Sequence, residues 1–254
     1  MSRPAAPARA MLALAGTELR LTARRGENVL VTMIVPAAVL VFFATAGVVP
    51  GIAGRPVDFL LPGSLALAVI ATGLVNLGIA TAYERNYGVL KRLGASPLPT
   101  WGLIGAKLAA VLVLEVLQVA LLLAVAVVVL GWTVAPGASI GLFVLAMLLG
   151  TAAFAGLGLL LAGTLRAEAT LALANALFIG FLMVGGIVLP VDHLPAPLDV
   201  IATVLPAAAL SEALRAALGG GGAVGGGAVG LPLVILGAWG VVTAGLAIRT
   251  FRWE

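Results

Sequence analysis

Long runs of apolar residues, separated by short polar segments, dominate the chain. Six of these runs are nearly free of charged side chains, and they cover residues 29–49, 59–82, 108–130, 138–164, 170–190 and 231–248. A helix of about 20 apolar residues crosses roughly 30 Å of hydrocarbon and satisfies its own backbone hydrogen bonds there. The pattern therefore predicts an all-α membrane protein with six transmembrane helices.

Residues 7–25 precede the first run and have a weaker, amphipathic pattern. On a helical wheel Leu12 and Leu19 share one face, whereas Arg20 and Arg24 lie on the opposite face. Such a helix lies along a membrane surface with its apolar side in the lipid. We therefore expect an N-terminal interfacial helix.

A second amphipathic segment lies between the second and third runs. A helical wheel divides residues 83–93 into an apolar arc and a charged arc. The apolar arc contains Tyr83, Tyr87, Val89, Leu90 and Leu93, and the charged arc contains Glu84, Arg85, Gly88, Lys91 and Arg92. Prolines at 97 and 99 end the pattern. The sequence predicts a short helix of about 15 Å that lies along the bilayer and turns its charged side to water or to a partner.

Prolines interrupt the apolar segment between the fifth and sixth runs, residues 190–230. They divide it into pieces that are each too short to span, at Pro190, Pro195, Pro197 and Pro206. Interrupted backbone is tolerated at membrane depth only where protein covers it, so we expect a re-entrant helical hairpin on the outer side. Gly219 is expected to end its second piece, and the glycine-rich residues that follow predict a flexible linker.

The basic residues predict an orientation. With a cytoplasmic N-terminus, twelve of the fourteen Lys and Arg residues lie on the inner side, and only Arg55 and Arg215 lie outside. This excess of inner basic residues predicts that both termini are cytoplasmic. The abundance of Ala, Gly and Val, and of Arg over Lys, indicates a GC-rich bacterial genome, so we expect the inner (plasma) membrane of a bacterium. Because the basic residues stand at the ends of apolar runs, the net charge of +4 indicates membrane orientation and no nucleic-acid partner.

Composition excludes several classes of protein. Only 9% of the residues are charged and 62% are hydrophobic, whereas soluble domains have about 25% charged residues. The chain has no cysteine, one histidine (His193) and no paired carboxylates, so neither a metal site nor an acid–base pair is expected. It also has no Gly-Lys dipeptide, which a P-loop requires. We expect no enzymatic site and no cofactor on this chain; if ATP drives it, another polypeptide binds the nucleotide.

Four polar residues inside the predicted helices are candidates for a substrate contact or a gate: Asn76, Glu115, Gln118 and Asn175. Glu115 and Gln118 share one helical face, and the two asparagines fall at comparable depths. Hydrogen bonds between helices are the commoner reason for such residues, at about 0.6 kcal/mol each. The sequence favours that structural interpretation, and a role in a gate stays an alternative.

The second amphipathic segment carries a motif. It reads Glu-Arg-x-x-Gly-x-Leu-Lys-Arg-Leu-x-x-Ser-Pro from Glu84 to Pro97, and a Trp and a Lys follow at the start of the next run. With the basic interfacial helix, six runs and the proline-broken outer hairpin, this resembles the permeases of ABC type-2 transporters over nearly the whole chain. The resemblance implies that residues 1–254 form a single transmembrane permease domain and that residues 84–97 are a coupling segment.

In that family the coupling segment inserts into a groove on a separate ATP-hydrolysing subunit. By position, the resemblance implies that polar contacts to that subunit come from Glu84, Arg85, Lys91 and Arg92. It also implies that Gly88 permits close approach and that Leu90 and Leu93 attach the segment to the bundle. Pro97 ends the motif. The resemblance further implies a permease homodimer with two ATP-binding subunits, which hold ATP and Mg²⁺.

The resemblance implies that the function is export of a substrate from the cytoplasm or the inner leaflet. The apolar spans favour a hydrophobic or amphipathic substrate, such as a drug, a lipid or a lipid-linked molecule. Two alternatives stay open. An ion-gradient-driven secondary transporter would use an ionisable group inside the spans, for which Glu115 is the one candidate. A non-transporting membrane scaffold would need no ionisable group inside the spans.

Overall fold

A computed structural model describes residues 7–24, 26–47, 54–94, 100–219 and 230–250, and these ranges are helical with no strand. They form α1 (Pro7–Arg24), α2 (Gly26–Ala46), α3 (Pro56–Ile70), α4 (Leu77–Asn86), α5 (Val89–Gly94), α6 (Thr100–Val128), α7 (Ile140–Thr164), α8 (Ala167–Val184), α9 (Leu198–Val204), α10 (Pro206–Ala217) and α11 (Gly230–Thr250). A π-helical stretch, Ala71–Asn76, joins α3 to α4 without interruption. The all-α prediction is confirmed for these residues.

Five helices are long and apolar enough to cross a membrane, and they confirm five of the six predicted spans. They are Pro56–Asn86, Gly102–Val128, Ile140–Thr164, Ala167–Val184 and Gly230–Thr250. The run at residues 29–49 falls on α2, but the apolar helix described there, Thr32–Ala46, is shorter than a span. Its crossing of the membrane stays a prediction. The described helices reach six spans only if α9 and α10 count as one broken span, bent by 71°.

The helix α3 lies at the centre of the bundle. Its side chains are buried on all sides from Leu60 onward, and burial continues through Leu74 in the π-helical stretch. The helices α2, α6, α7 and α10 pack around it. A helix that is apolar on every face is stable only in such a position, because no face is polar enough for water. The second predicted span is therefore the core of the molecule.

Glycines allow α4 and α7 to touch through their backbones. A Cβ added to Gly78 would lie 3.1 Å from the Cα of Gly158, and one added to Gly158 would lie 3.0 Å from the carbonyl oxygen of Leu74. Small residues at a contact allow membrane helices this close approach. A Cβ added to Gly237 or Gly245 of α11 would meet no atom of the described residues within 4 Å, so neither glycine makes such a contact with another described helix of the chain.

The outer hairpin breaks where the prolines predicted. The helix α9 ends at Val204, and Pro206 occupies the first turn of α10, where its missing N–H costs nothing. Gly219 follows α10 with a φ of +79°, the left-handed conformation expected at a helix end. The helix α10 packs against α3, α7 and α11 and buries most of its residues.

An arginine attaches this hairpin to the bundle. The Nη2 atom of Arg215 donates to the carbonyl oxygen of Gly186, in the turn after α8. Its guanidinium carbon lies 3.9 Å from the ring centroid of Phe59 on α3, which is a cation–π contact. Arg215 counted in the sequence only as an outer charge, and here it connects α10 to α3 and to the end of α8.

Candidate functional site

The coupling segment is bent. The helix α4 ends at Asn86, residues 87–88 form a turn, and α5 begins at Val89. Gly88 has a φ of +69°, which glycine adopts readily and other residues do not, and its N–H donates to the carbonyl oxygen of Arg85 at 3.0 Å. The prediction of one continuous helix over residues 83–93 was therefore wrong. A wheel drawn through a left-handed glycine assigns directions that the two short helices do not share.

Glu84 faces the bundle. Lys107 Nζ on α6 donates to Glu84 Oε2 at 2.6 Å and to Glu18 Oε1 on α1 at 2.9 Å. The lysine side chain is 4% exposed, and the two glutamates are 12% and 15% exposed. The charged side of the segment was predicted to turn to water or to a partner, and this direction is wrong for Glu84, because the buried lysine binds two carboxylates on the inner side. This charge cluster, Glu18–Lys107–Glu84, joins α1, α4 and α6.

Arg85 also turns inward. Its Nη1 donates to the carbonyl oxygen of Gly163 at 2.6 Å, and its Nη2 donates to that of Leu165. These oxygens lie at the C-terminal end of α7, where the last carbonyls of a helix lack partners and the helix dipole favours a cation. Arg85 therefore caps α7 and ties α4 to it.

The outer surface of the segment is basic and aromatic. Tyr87 is 68% exposed, and Lys91 and Arg92 are exposed on α5. Among the described residues, a Cβ added to Gly88 would meet nothing within 4 Å, so they leave room for another chain to approach there. We call Tyr87, Gly88, Lys91 and Arg92 the coupling surface.

The attachment of this surface to the bundle is only partly described. Leu90 is fully buried, as an attachment of α5 to the bundle requires. The side chain of Leu93 and all of Pro97 lie outside the described residues.

Glu115 and Gln118 are buried between helices. Thr151 Oγ1 on α7 donates to Glu115 Oε2 at 2.6 Å, and Thr72 Oγ1 in the π-helical stretch donates to Gln118 Oε1 at 2.7 Å. The Nε2 atom of Gln118 also donates to the carbonyl oxygen of Thr32 on α2, at 3.1 Å. These bonds connect α6 to its neighbours and support the structural interpretation of both residues.

The two asparagines do not join that pair in one cluster. Asn76 borders a cavity of about 30 Å³ beside Glu18 and Lys107, large enough for a water molecule. Asn175 lies on the exposed face of α8, and its Nδ2 donates to the carbonyl oxygen of Leu171 in the same helix at 2.8 Å. The sequence predicts a comparable depth for Asn175, but the face of α8 that carries it points away from the bundle.

The sequence missed the charge cluster. Glu18 and Lys107 are 89 residues apart and appeared only as charges at the ends of apolar segments. The signal that could have revealed it is the position of Lys107, several residues inside an apolar helix, where an ammonium group needs a buried acceptor.

These helices define a multi-pass membrane protein with an exposed basic segment bound to the bundle through buried charges. The model of the ABC-2 type transporter family matches residues 9–218, and the chain belongs to that family. It is thus the permease component of an ABC-type transporter, and membership implies pairing with an ATP-binding subunit. No curated protein matches the chain.

Proposed function

We propose that the chain is the permease of an ABC exporter that moves a hydrophobic or amphipathic substrate out of the cytoplasm or the inner leaflet. Two copies pair with two ATP-binding subunits, which hold the ATP and Mg²⁺. The assembly lies in the bacterial inner membrane with both termini cytoplasmic, an orientation supported by the distribution of Lys and Arg.

The observation that carries this proposal is how the coupling surface is attached to the helix bundle. Lys91 and Arg92 are exposed on a short helix, and directly before it Glu84 and Arg85 are bound to the bundle. A force on α5 therefore reaches α6 through Lys107 and α7 through Arg85. We assign the contact with the ATP-binding subunit to the coupling surface, and a positioning role to Glu84 and Arg85.

Charge indicates what kind of groove receives this surface. Its two basic side chains favour an acidic groove on the partner, since complementary charge speeds docking and fixes its register. Tyr87 adds an exposed aromatic ring, a residue type enriched in the cores of protein interfaces. A groove with carboxylates around an apolar floor matches both features.

An exposed face of α8 supports the proposal of a second permease copy. This face carries Ala172, Ala176 and Gly180 at every fourth position, with Asn175 beside them. Small residues at this spacing let membrane helices approach closely, and an amide on a lipid-facing surface is costly unless another helix covers it. We therefore assign this face to the dimer contact.

One preparation tests the assembly and the energy source. The permease purified with its ATP-binding subunit is expected to have the mass of two copies of each chain, and in vesicles to move a fluorescent amphiphile only when ATP is present. A complex with one permease copy would contradict the dimer. Movement by the permease alone under a proton gradient would support the secondary transporter, and no movement under either condition would support a scaffold.

A further inference from the structure

A groove runs between α6 and α11, with α4 and α7 as its floor. Its volume is about 420 Å³, within the range of ligand sites of roughly 300–1,000 Å³. Most of its walls are apolar, among them Leu103, Ile104, Leu108, Leu159 and Ala247. The groove lies within one chain, and none of the four predicted gate residues borders it.

The groove opens sideways. Ile248 on α11 and Ala152 on α7 border it and are exposed at the surface of the bundle. Both belong to helices long enough to cross a membrane, so this opening faces lipid. Leu103 near the start of α6 and Ile248 near the end of α11 place the groove in the cytoplasmic half of the bilayer, in the proposed orientation.

One polar group on the wall lacks a partner. The hydroxyl of Thr81 is buried and makes no hydrogen bond within the part of the chain that the structure describes. The buried threonines Thr72, Thr151 and Thr243 differ from it, because each has an acceptor within hydrogen-bond distance of its hydroxyl. An unpaired buried hydroxyl is unfavourable, so a ligand with an acceptor oxygen would gain a hydrogen bond here.

Lys107 supplies the second donor and selects the kind of acceptor. Its ammonium group has three N–H donors, and the described residues that accept from it are Glu18 and Glu84. Two carboxylates beside the ammonium repel an anionic acceptor, so an uncharged oxygen is favoured. An ester carbonyl next to an acyl chain has this character and suits a lateral, apolar entrance.

We propose that the groove binds an ester-linked acyl lipid that enters from the inner leaflet. Its chain lies along the apolar walls, and its ester carbonyl accepts hydrogen bonds from Thr81 and Lys107. The site extends the proposed function by placing an amphipathic molecule inside a single permease chain. It rests on the proposed function for the leaflet from which the lipid enters.

The test uses the full-length chain in detergent and a phosphatidylcholine with a photoactivatable group in its acyl chain. Photo-crosslinks are expected at α6 and α11 around the groove, and unlabelled ester-linked phosphatidylcholine should compete about 25-fold better than its ether-linked analogue, the effect of losing two hydrogen bonds. Equal competition by the two lipids would overturn the proposal.

Two variants and one control variant locate the effect. Thr81→Val has nearly the same shape, and it should weaken ester-lipid competition about fivefold without lowering thermal stability. Ala244→Phe should fill the groove and remove the crosslinks, whereas Ala124→Phe, on an exposed face of α6, should retain them. If Thr81→Val competes like the original chain, the carbonyl assignment fails. Binding needs no ATP-binding subunit, so this failure is distinct from a failure of the exporter proposal.

Discussion

Lys107→Met is expected to destabilise the permease by about 3–5 kcal/mol, the usual cost of removing one partner from a buried ion pair. The substitution keeps an unbranched side chain of similar length, but it leaves the carboxylates of Glu18 and Glu84 together without the cation. Thermal unfolding of the purified chain in detergent measures the loss. Lys91→Met, an equal change at an exposed position of α5, is the matched control, with an expected loss below about 1 kcal/mol.

The triple variant Lys107→Met, Glu18→Gln, Glu84→Gln separates charge from packing. It removes the two carboxylate charges that Lys107 otherwise balances, so most of the lost stability should return, because a buried ionic cluster replaced as a whole is often neutral. A triple variant as unstable as Lys107→Met would show that the lysine acts through its shape, and the account of the charge cluster would fail.

Arg92→Glu is expected to have the largest effect on activity. It places a carboxylate where we propose that the permease meets an acidic groove, and like charges at an interface cost several kcal/mol. Substrate-stimulated ATP hydrolysis by the assembled complex should fall about tenfold or more, while the amount of permease in the membrane stays the same. Position 92 is exposed, so the substitution should not affect folding.

Arg249→Glu is the control for charge. Arg249 is exposed at the end of α11, on the same predicted side of the membrane, but it is not part of the coupling surface. Its reversal changes the net charge by the same amount and should leave ATP hydrolysis nearly unchanged. Equal losses in both variants would indicate a general electrostatic effect and would contradict a docking role specific to Arg92.

The spans could be predicted because a long apolar run is sufficient for a membrane helix. Five predicted spans coincide with helices of spanning length to within several residues. Proline also acts locally, and the break before Pro206 appeared where the sequence placed it. Helix packing could be predicted less well. Gly158 and Gly237 lie in equally apolar helices, and only the arrangement of neighbouring helices decides that Gly158 touches a backbone and that Gly237 does not.

The inward directions of the Glu84 and Arg85 side chains could not be predicted. Glu84 and Arg85 belong to a basic amphipathic motif, but their partners are Lys107 and the end of α7, and Arg85 is 78 residues from Gly163. Pairing over such distances depends on the tertiary arrangement, which a helical wheel does not contain. The wheel also requires a straight helix, and Gly88 removes that condition. Residues identified as contacts with a partner can thus be the ones that hold the contact surface in place.

The central claim is that the coupling surface touches an ATP-binding subunit, and a cysteine-anchored photo-crosslinker tests it most directly. The chain has no cysteine of its own, so the linker attaches only at Arg92→Cys or at a control, Thr133→Cys, in the exposed loop between α6 and α7. The account predicts a covalent product with the ATP-binding subunit from Arg92→Cys and none from Thr133→Cys. A product from the control alone, or from neither position in an active complex, would contradict it.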